Sequence, residues 1–139
     1  MFKYLRTLYT EFHPTAVELF LSDADEDNYD AVKRGMICTI SNGKINLSTD
    51  SCKVMYLTLN DKIDGESKAI RCVRLSSNMV LEADLKADID TSSIFVGSFL
   101  GLSSSSDGQA VCLDTNGDAF EVIDVSEMNT KNKVKVVVL

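Results

Sequence analysis

Lys33-Arg34-Gly35-Met36-Ile37-Cys38-Thr39-Ile40-Ser41-Asn42-Gly43-Lys44-Ile45-Asn46-Leu47-Ser48 sets two alternating runs on either side of an Asn-Gly pair. A two-residue type I′ turn needs positive φ at both central positions, which Asn and Gly adopt at least cost, and its twist matches that of the strands it joins. With Asn42-Gly43 as the loop, Ser41 faces Lys44, Ile40 faces Ile45, Thr39 faces Asn46 and Cys38 faces Leu47. Met36, Cys38, Ile40, Ile45 and Leu47 then share one apolar face, and Thr39, Ser41, Lys44, Asn46 and Ser48 share a polar one. Ile37 is the exception, apolar on the polar side. The hairpin predicts a sheet with one covered face and one wet face.

The grammar recurs in Gly108-Gln109-Ala110-Val111-Cys112-Leu113-Asp114-Thr115-Asn116-Gly117-Asp118-Ala119-Phe120-Glu121-Val122. The same turn would place Leu113 opposite Phe120 and Val111 opposite Val122, with Cys112 on the other face. That parity is the reverse of the first hairpin, so the two stretches read as two uses of one turn chemistry, not as a duplication.

Outward from these hairpins, the chain is a series of short apolar runs. Thr15 to Leu21, Lys53 to Leu59, Ala69 to Leu75 and Met79 to Leu85 read as strands, with Ser76-Ser77-Asn78 turning the chain between the last two. Ile94-Phe95-Val96-Gly97-Ser98-Phe99-Leu100-Gly101-Leu102 is apolar on both sides and reads as a central strand or part of an interface; Gly97 and Gly101 there suggest bulges or close approach. The closing Lys133 to Leu139 is strongly β-prone, and Lys131, Lys133 and Lys135 read as edge protection. About ten short strands with Pro14 as the only proline predict an all-β fold: a small β-barrel or sandwich of short antiparallel strands.

The first thirteen residues stand apart. They hold four of the ten aromatics in the chain, which has six Phe, four Tyr and no Trp. Phe2, Leu5, Tyr9 and Phe12 recur at helical spacing, and Pro14 marks a boundary. The expected organisation is an N-terminal arm or short helix over 1–13 and a single β domain over 14–139. The aromatic end either packs on its own domain or reaches a neighbouring surface; in the second case Phe2, Tyr4, Leu5, Tyr9 and Phe12 are the partner-binding residues.

With 139 residues and 45% hydrophobic content, the chain can bury a core without disulfides or metal. A net charge of −7 argues against duplex nucleic acid or an anionic membrane as partner. No apolar run approaches the roughly 18 residues of a membrane span, and the N-terminus does not read as a signal peptide, so a cytoplasmic protein is expected. Cys38, Cys52, Cys72 and Cys112 form no CxxC pair and read as small buried apolar residues. Asp23, Asp25 and Asp27 have the spacing of the first calcium ligands of an EF-hand, but Asn28 and Arg34 occupy the positions that need Gly and Glu, so a solvated acidic loop is the better reading. His13 has no flanking motif, Ser103 to Ser106 are a run and not a nucleophile elbow, and no phosphate loop occurs. No catalytic residue, metal site or cofactor is expected.

The Lys33-Arg34-Gly35 hairpin, Gly108 to Leu113, and Gly117 to Ile123 with the closing Val-rich strand together resemble the head-decoration, or capsid cement, proteins of tailed bacteriophages, over about Val32 to Leu139. The resemblance implies a non-enzymatic virion protein, assembled in the host cytoplasm. It would bind the outer capsid surface, contact the major capsid protein, self-associate as a trimer or dimer, and be tied down by its N-terminal arm. Another phage structural subunit, of the head–tail connector or tail, and a soluble β-barrel module for a glycan or peptide are the alternatives.

Overall fold

The computed structural model describes residues 1–8, 17–20, 32–42, 44–47, 54–61, 69–103, 109–113 and 118–139. Among these residues the chain is nearly all β. The strands are β1 (Phe2–Thr7), β2 (Val17–Phe20), β3 (Ile37–Ser41), β4 (Lys44–Leu47), β5 (Tyr56–Thr58) and β6 (Ala69–Arg74). They continue with β7 (Met79–Asp84), β8 (Phe99–Leu102), β9 (Val111–Cys112), β10 (Phe120–Asp124) and β11 (Lys133–Val138), with one short helix, α1 (Met128–Lys131), before the last.

The Asn-Gly hairpin forms in the expected register. Cys38 faces Leu47, Thr39 faces Asn46, Ile40 faces Ile45 and Ser41 faces Lys44, with Asn42 at φ +52°. This β3–β4 pair is the seed of a small closed barrel of order β2-β4-β3-β5-β6. Antiparallel pairs build most of it, and a parallel bridge from Phe20 to Lys44 closes it. So narrow a barrel is filled by side chains: Cys38, Ile45, Ile70 and Cys72 are fully buried together with Val32, and Tyr56 packs against them.

Ile37 breaks the hairpin's parity because β3 has two apolar faces. Ile37, Leu57 and Val73 align across β3, β5 and β6 and belong to a second, larger core. Successive residues of these strands point to opposite faces, so alternation sorts Cys38 into the barrel and Ile37 out of it.

What they pack against is an antiparallel sheet of order β1-β7-β11-β10-β8-β9. Its inner face carries Leu81, Leu100, Phe120, Val122 and Val136 into that core. On the outer face Lys3, Glu82, Lys135 and Asp124 line up across β1, β7, β11 and β10, a row of alternating charge. The hairpin's own sheet, expected to have one covered and one wet face, instead carries apolar residues on both faces of β3; it is this larger sheet that has one of each.

Four expectations are corrected. Residues 2–7 form a strand rather than a helix or loose arm: the edge of β7 offers backbone partners, and Phe2 and Tyr4 face Ala83 and Leu81. Asn116-Gly117 lies outside the described residues, and β9 and β10 do not pair as a hairpin because β8 stands between them, bonded to both. Strand β11 is central, not an edge. Its Lys133 contacts Glu82 at 3.0 Å and Asp84 at 3.5 Å, and Lys135 contacts Asp124 at 2.8 Å, so these lysines make cross-strand ion pairs. The stretch 94–102 is strand only from Phe99 onward.

Two short-range devices join sheet to barrel. The Phe2 N–H donates to the Gly35 carbonyl at 2.8 Å, and the Gly35 N–H donates to the Thr58 carbonyl at 2.9 Å. The buried Thr58 hydroxyl accepts from the Met36 N–H at 2.9 Å and donates to the Lys33 carbonyl at 2.6 Å. The Gln109 side chain acts as a strand partner for Ile37, accepting its N–H at 2.8 Å and donating to its carbonyl at 3.1 Å.

Candidate functional site

Between β7 and β8 the chain makes a 3-10 turn at Thr91–Ser93, capped by Asp90, whose carboxylate accepts from the Ser92 hydroxyl at 2.6 Å and the Ser92 N–H at 3.0 Å. These bonds, the hydroxyl first, hold the Asp90 carboxyl below its ordinary 3.8. Ile94 then plunges into the large core at 2% exposure. Immediately afterwards the pattern reverses: Phe95 is 65% exposed, Val96 63% and Phe99 50%.

The reversal is built, not frayed. The Ser98 N–H donates to the Phe95 carbonyl at 2.9 Å, and the Phe95 N–H donates to the Ser98 hydroxyl at 2.8 Å. Gly97 has φ +91° at the third position of this four-residue turn, as a type II turn requires. A Cβ at Gly97 would meet nothing within 4 Å, so glycine serves the backbone conformation alone. The Gly97 N–H donates to the Val122 carbonyl and the Val122 N–H to the Ser98 carbonyl, both at 2.8 Å, clamping the turn to β10. Side chains that could have entered the core are thus held in water at the rim of the sheet. Isolated exposed apolar residues are ordinary, but three within five residues on a fixed backbone have the character of an interaction surface.

A second feature lies across the molecule. Beside β1, a groove of about 490 Å3 is lined by the exposed Lys3 and Arg34 and the half-buried Tyr4 and Leu59, over the buried Phe2, Gly35, Leu57 and Thr58. A crevice too narrow to hold a water molecule is bordered by Glu82, Asp124, Lys133 and Lys135, whose charges are already spent on one another. There the Lys135 ammonium first, and then Ser126, hold the Asp124 carboxyl far below its ordinary 3.8, while the bond from Lys133 to Glu82 is the main cause raising the Lys133 ammonium above 10.5.

Of the anticipated partner-binding residues, the three that are described, Phe2, Tyr4 and Leu5, do not form one exposed surface. Phe2 is 4% exposed, its ring centroid 5.7 Å from that of Phe120 in the large core. Tyr4 is half-buried and packs against the same core, lining the groove with its outer part. Leu5 sits at the irregularity between Tyr4 and Arg6. Tyr9 and Phe12 lie outside the described residues, as do His13, Cys52 and the acidic loop with Asp23, Asp25 and Asp27. Among the described residues no three His, Cys, Asp or Glu side chains come together as a metal site, and no helix is long and apolar enough to cross a membrane. In the sequence, Phe95, Val96 and Phe99 belong to the apolar run expected to be a central strand or part of an interface. The Gly97-Ser98 pair was the signal that distinguished a turn. Comparison with models of known protein families, with curated proteins and with solved structures yields no match to this chain.

Proposed function

We propose that this chain is a non-enzymatic structural protein of a virion that docks on the outer surface of a tailed-phage capsid and stabilises contacts between its subunits. The observation that carries the reading is the clamped turn that presents Phe95 and Val96 to water beside Phe99. Such a surface favours protein docking over chemistry, because apolar side chains on a rigid backbone lose little entropy on burial. The capsid as partner rests on the resemblance over Val32 to Leu139, and repeated weak contacts on a symmetric lattice would give such a protein its hold. Phe2 is a core residue at 4% exposure, so among the described residues the Phe95 turn, rather than Phe2, supports the docking reading.

The test is co-sedimentation with capsid shells assembled without this protein. The natural chain should sediment with the shells and Phe95→Asp should stay in solution while remaining folded. Equal binding by Phe95→Asp removes the turn from the reading, and no binding by either protein removes the capsid.

A further inference from the structure

We propose that Cys38 and Cys72 are a latent disulfide: on oxidation their sulfurs bond and staple β3 to β6 across the inside of the small barrel. Neither residue belongs to the Phe95 turn, so this modification site is independent of the docking reading.

Alternation and register bring the two thiols together. Cys38 on β3 faces Tyr56 of β5, and Cys72 on β6 faces Thr58 of the same strand. Tyr56 and Thr58 are two residues apart, so both cysteines project from one face, into the barrel interior. There the sulfurs stand 3.9 Å apart, with one thiol positioned to donate to the other sulfur. That is contact without a bond. A disulfide needs about 2.05 Å, so the sulfurs close by about 1.9 Å through rotation about the two Cα–Cβ bonds.

Topology shows what the bond adds. In the order β2-β4-β3-β5-β6, β5 stands between the two cysteine strands. Among the described residues β3 meets β5 only at Ile37–Leu57 and Cys38–Tyr56, and the barrel closes through the one parallel bridge from Phe20 to Lys44. A covalent link over β5 ties β3 to β6 directly. It also closes a loop between positions 34 apart in sequence, which restricts the unfolded chain.

Neither cysteine has exposed surface, so the oxidant must be small and enter as the barrel opens locally. Hydrogen peroxide qualifies. One thiolate attacks a peroxide oxygen, the O–O bond breaks, and departing hydroxide leaves a sulfenic acid on that sulfur. The second thiolate attacks the same sulfur, forms the S–S bond and expels a second hydroxide. The two thiol protons convert both hydroxides to water, so two thiols are oxidised and one peroxide is reduced to two waters. Contact between the sulfurs favours this condensation over further oxidation of the sulfenic acid. On the proposed function, the chain is assembled in a reducing cytoplasm and then carried on a released particle, where disulfides persist. That setting rests on the capsid reading; the bond does not.

Peptide mapping of the folded chain after peroxide treatment, without denaturant and with remaining thiols alkylated, tests the bond. Trypsin places Cys38, Cys52, Cys72 and Cys112 in four different peptides, spanning 35–44, 45–53, 72–74 and 87–131. The map should show 35–44 joined to 72–74, and reduction should separate them. The oxidised chain should melt about 5–15 °C above the reduced one. Cys72→Ala should lose both the joined peptide and the peroxide-induced shift, and the map of the natural chain decides even where that variant fails to fold. Overturning results are a chain that keeps both thiols, Cys38 or Cys72 driven on to sulfinic acid, a link from either to Cys52 or Cys112, or an oxidised chain that melts no higher. The proposed function fails separately, because the dependence of capsid binding on Phe95 is measured on the reduced chain.

Discussion

A Cβ placed on Gly35 would lie 2.5 Å from the carbonyl oxygen of Phe2. Gly35 also has φ +87°, so two independent constraints demand glycine where β1 crosses the barrel. Gly35→Ala should cost about 2–4 kcal/mol, combining left-handed backbone strain with displacement of β1. Urea unfolding measures it, and a loss below about 1 kcal/mol would mean that β1 is not held in this way.

Phe2 and Phe95 are both phenylalanines near a sheet rim, but their surroundings predict opposite behaviour. Phe2→Ala empties a site packed on Phe120 and should destabilise the fold by about 3–5 kcal/mol. Phe95→Ala, at a position 65% exposed, should stay within about 0.5 kcal/mol of the natural chain. Thermal melts of the two variants side by side would expose an error in either placement.

What the sequence could and could not reveal follows from the range of the forces involved. The Asn42-Gly43 hairpin is readable because turn chemistry and alternation are local, whereas Ile37's broken parity stays an unexplained exception until the second core is seen. Phe2 and Tyr4 fit a period of two while Phe2, Leu5, Tyr9 and Phe12 fit a helix; the open edge of β7, distant in sequence, decided for the strand. The insertion of β8 between β9 and β10 was invisible for the same reason. Lys133 and Lys135 alternate identically whether they guard an edge or meet Glu82 and Asp124. The apolar run from Ile94 to Leu102 could not announce which side chains would be left in water, because that depends on where β10 holds Gly97 and Ser98.

Asp124 gives the fold a pH dependence whose sign is fixed. Its carboxyl is held well below the ordinary 3.8, chiefly by the hydrogen bond from Lys135. A group whose folded value is depressed stabilises fully above its unfolded value of about 4 and loses that contribution as pH falls toward the folded one. The gap in urea midpoint between the natural chain and Asp124→Asn should therefore be widest near neutrality and close progressively below about pH 4. Because the pair faces solvent, high salt should also narrow it. A gap that persists unchanged into strong acid would break the link between Lys135 and this carboxyl.

Cys38 and Cys72 meet inside the small barrel with their sulfurs 3.9 Å apart, and neither has any exposed surface. Each serves there as a compact apolar side chain, alongside Ile45 and Ile70, where a larger residue would overfill the barrel. An aromatic disulfide reagent is too bulky to enter, so it can reach these thiols only when the barrel opens. In the native protein both should react at a rate set by unfolding and accelerate steeply with urea, as followed by quenched labelling and peptide mapping. Cys72→Ser places a hydroxyl in the same closed space and should cost about 1–3 kcal/mol, since burial of a polar group without good partners is unfavourable. Rapid labelling of either thiol in the absence of denaturant would show that the barrel interior is open to solvent, and the two-core account of β3, β5 and β6 would then lose its smaller half.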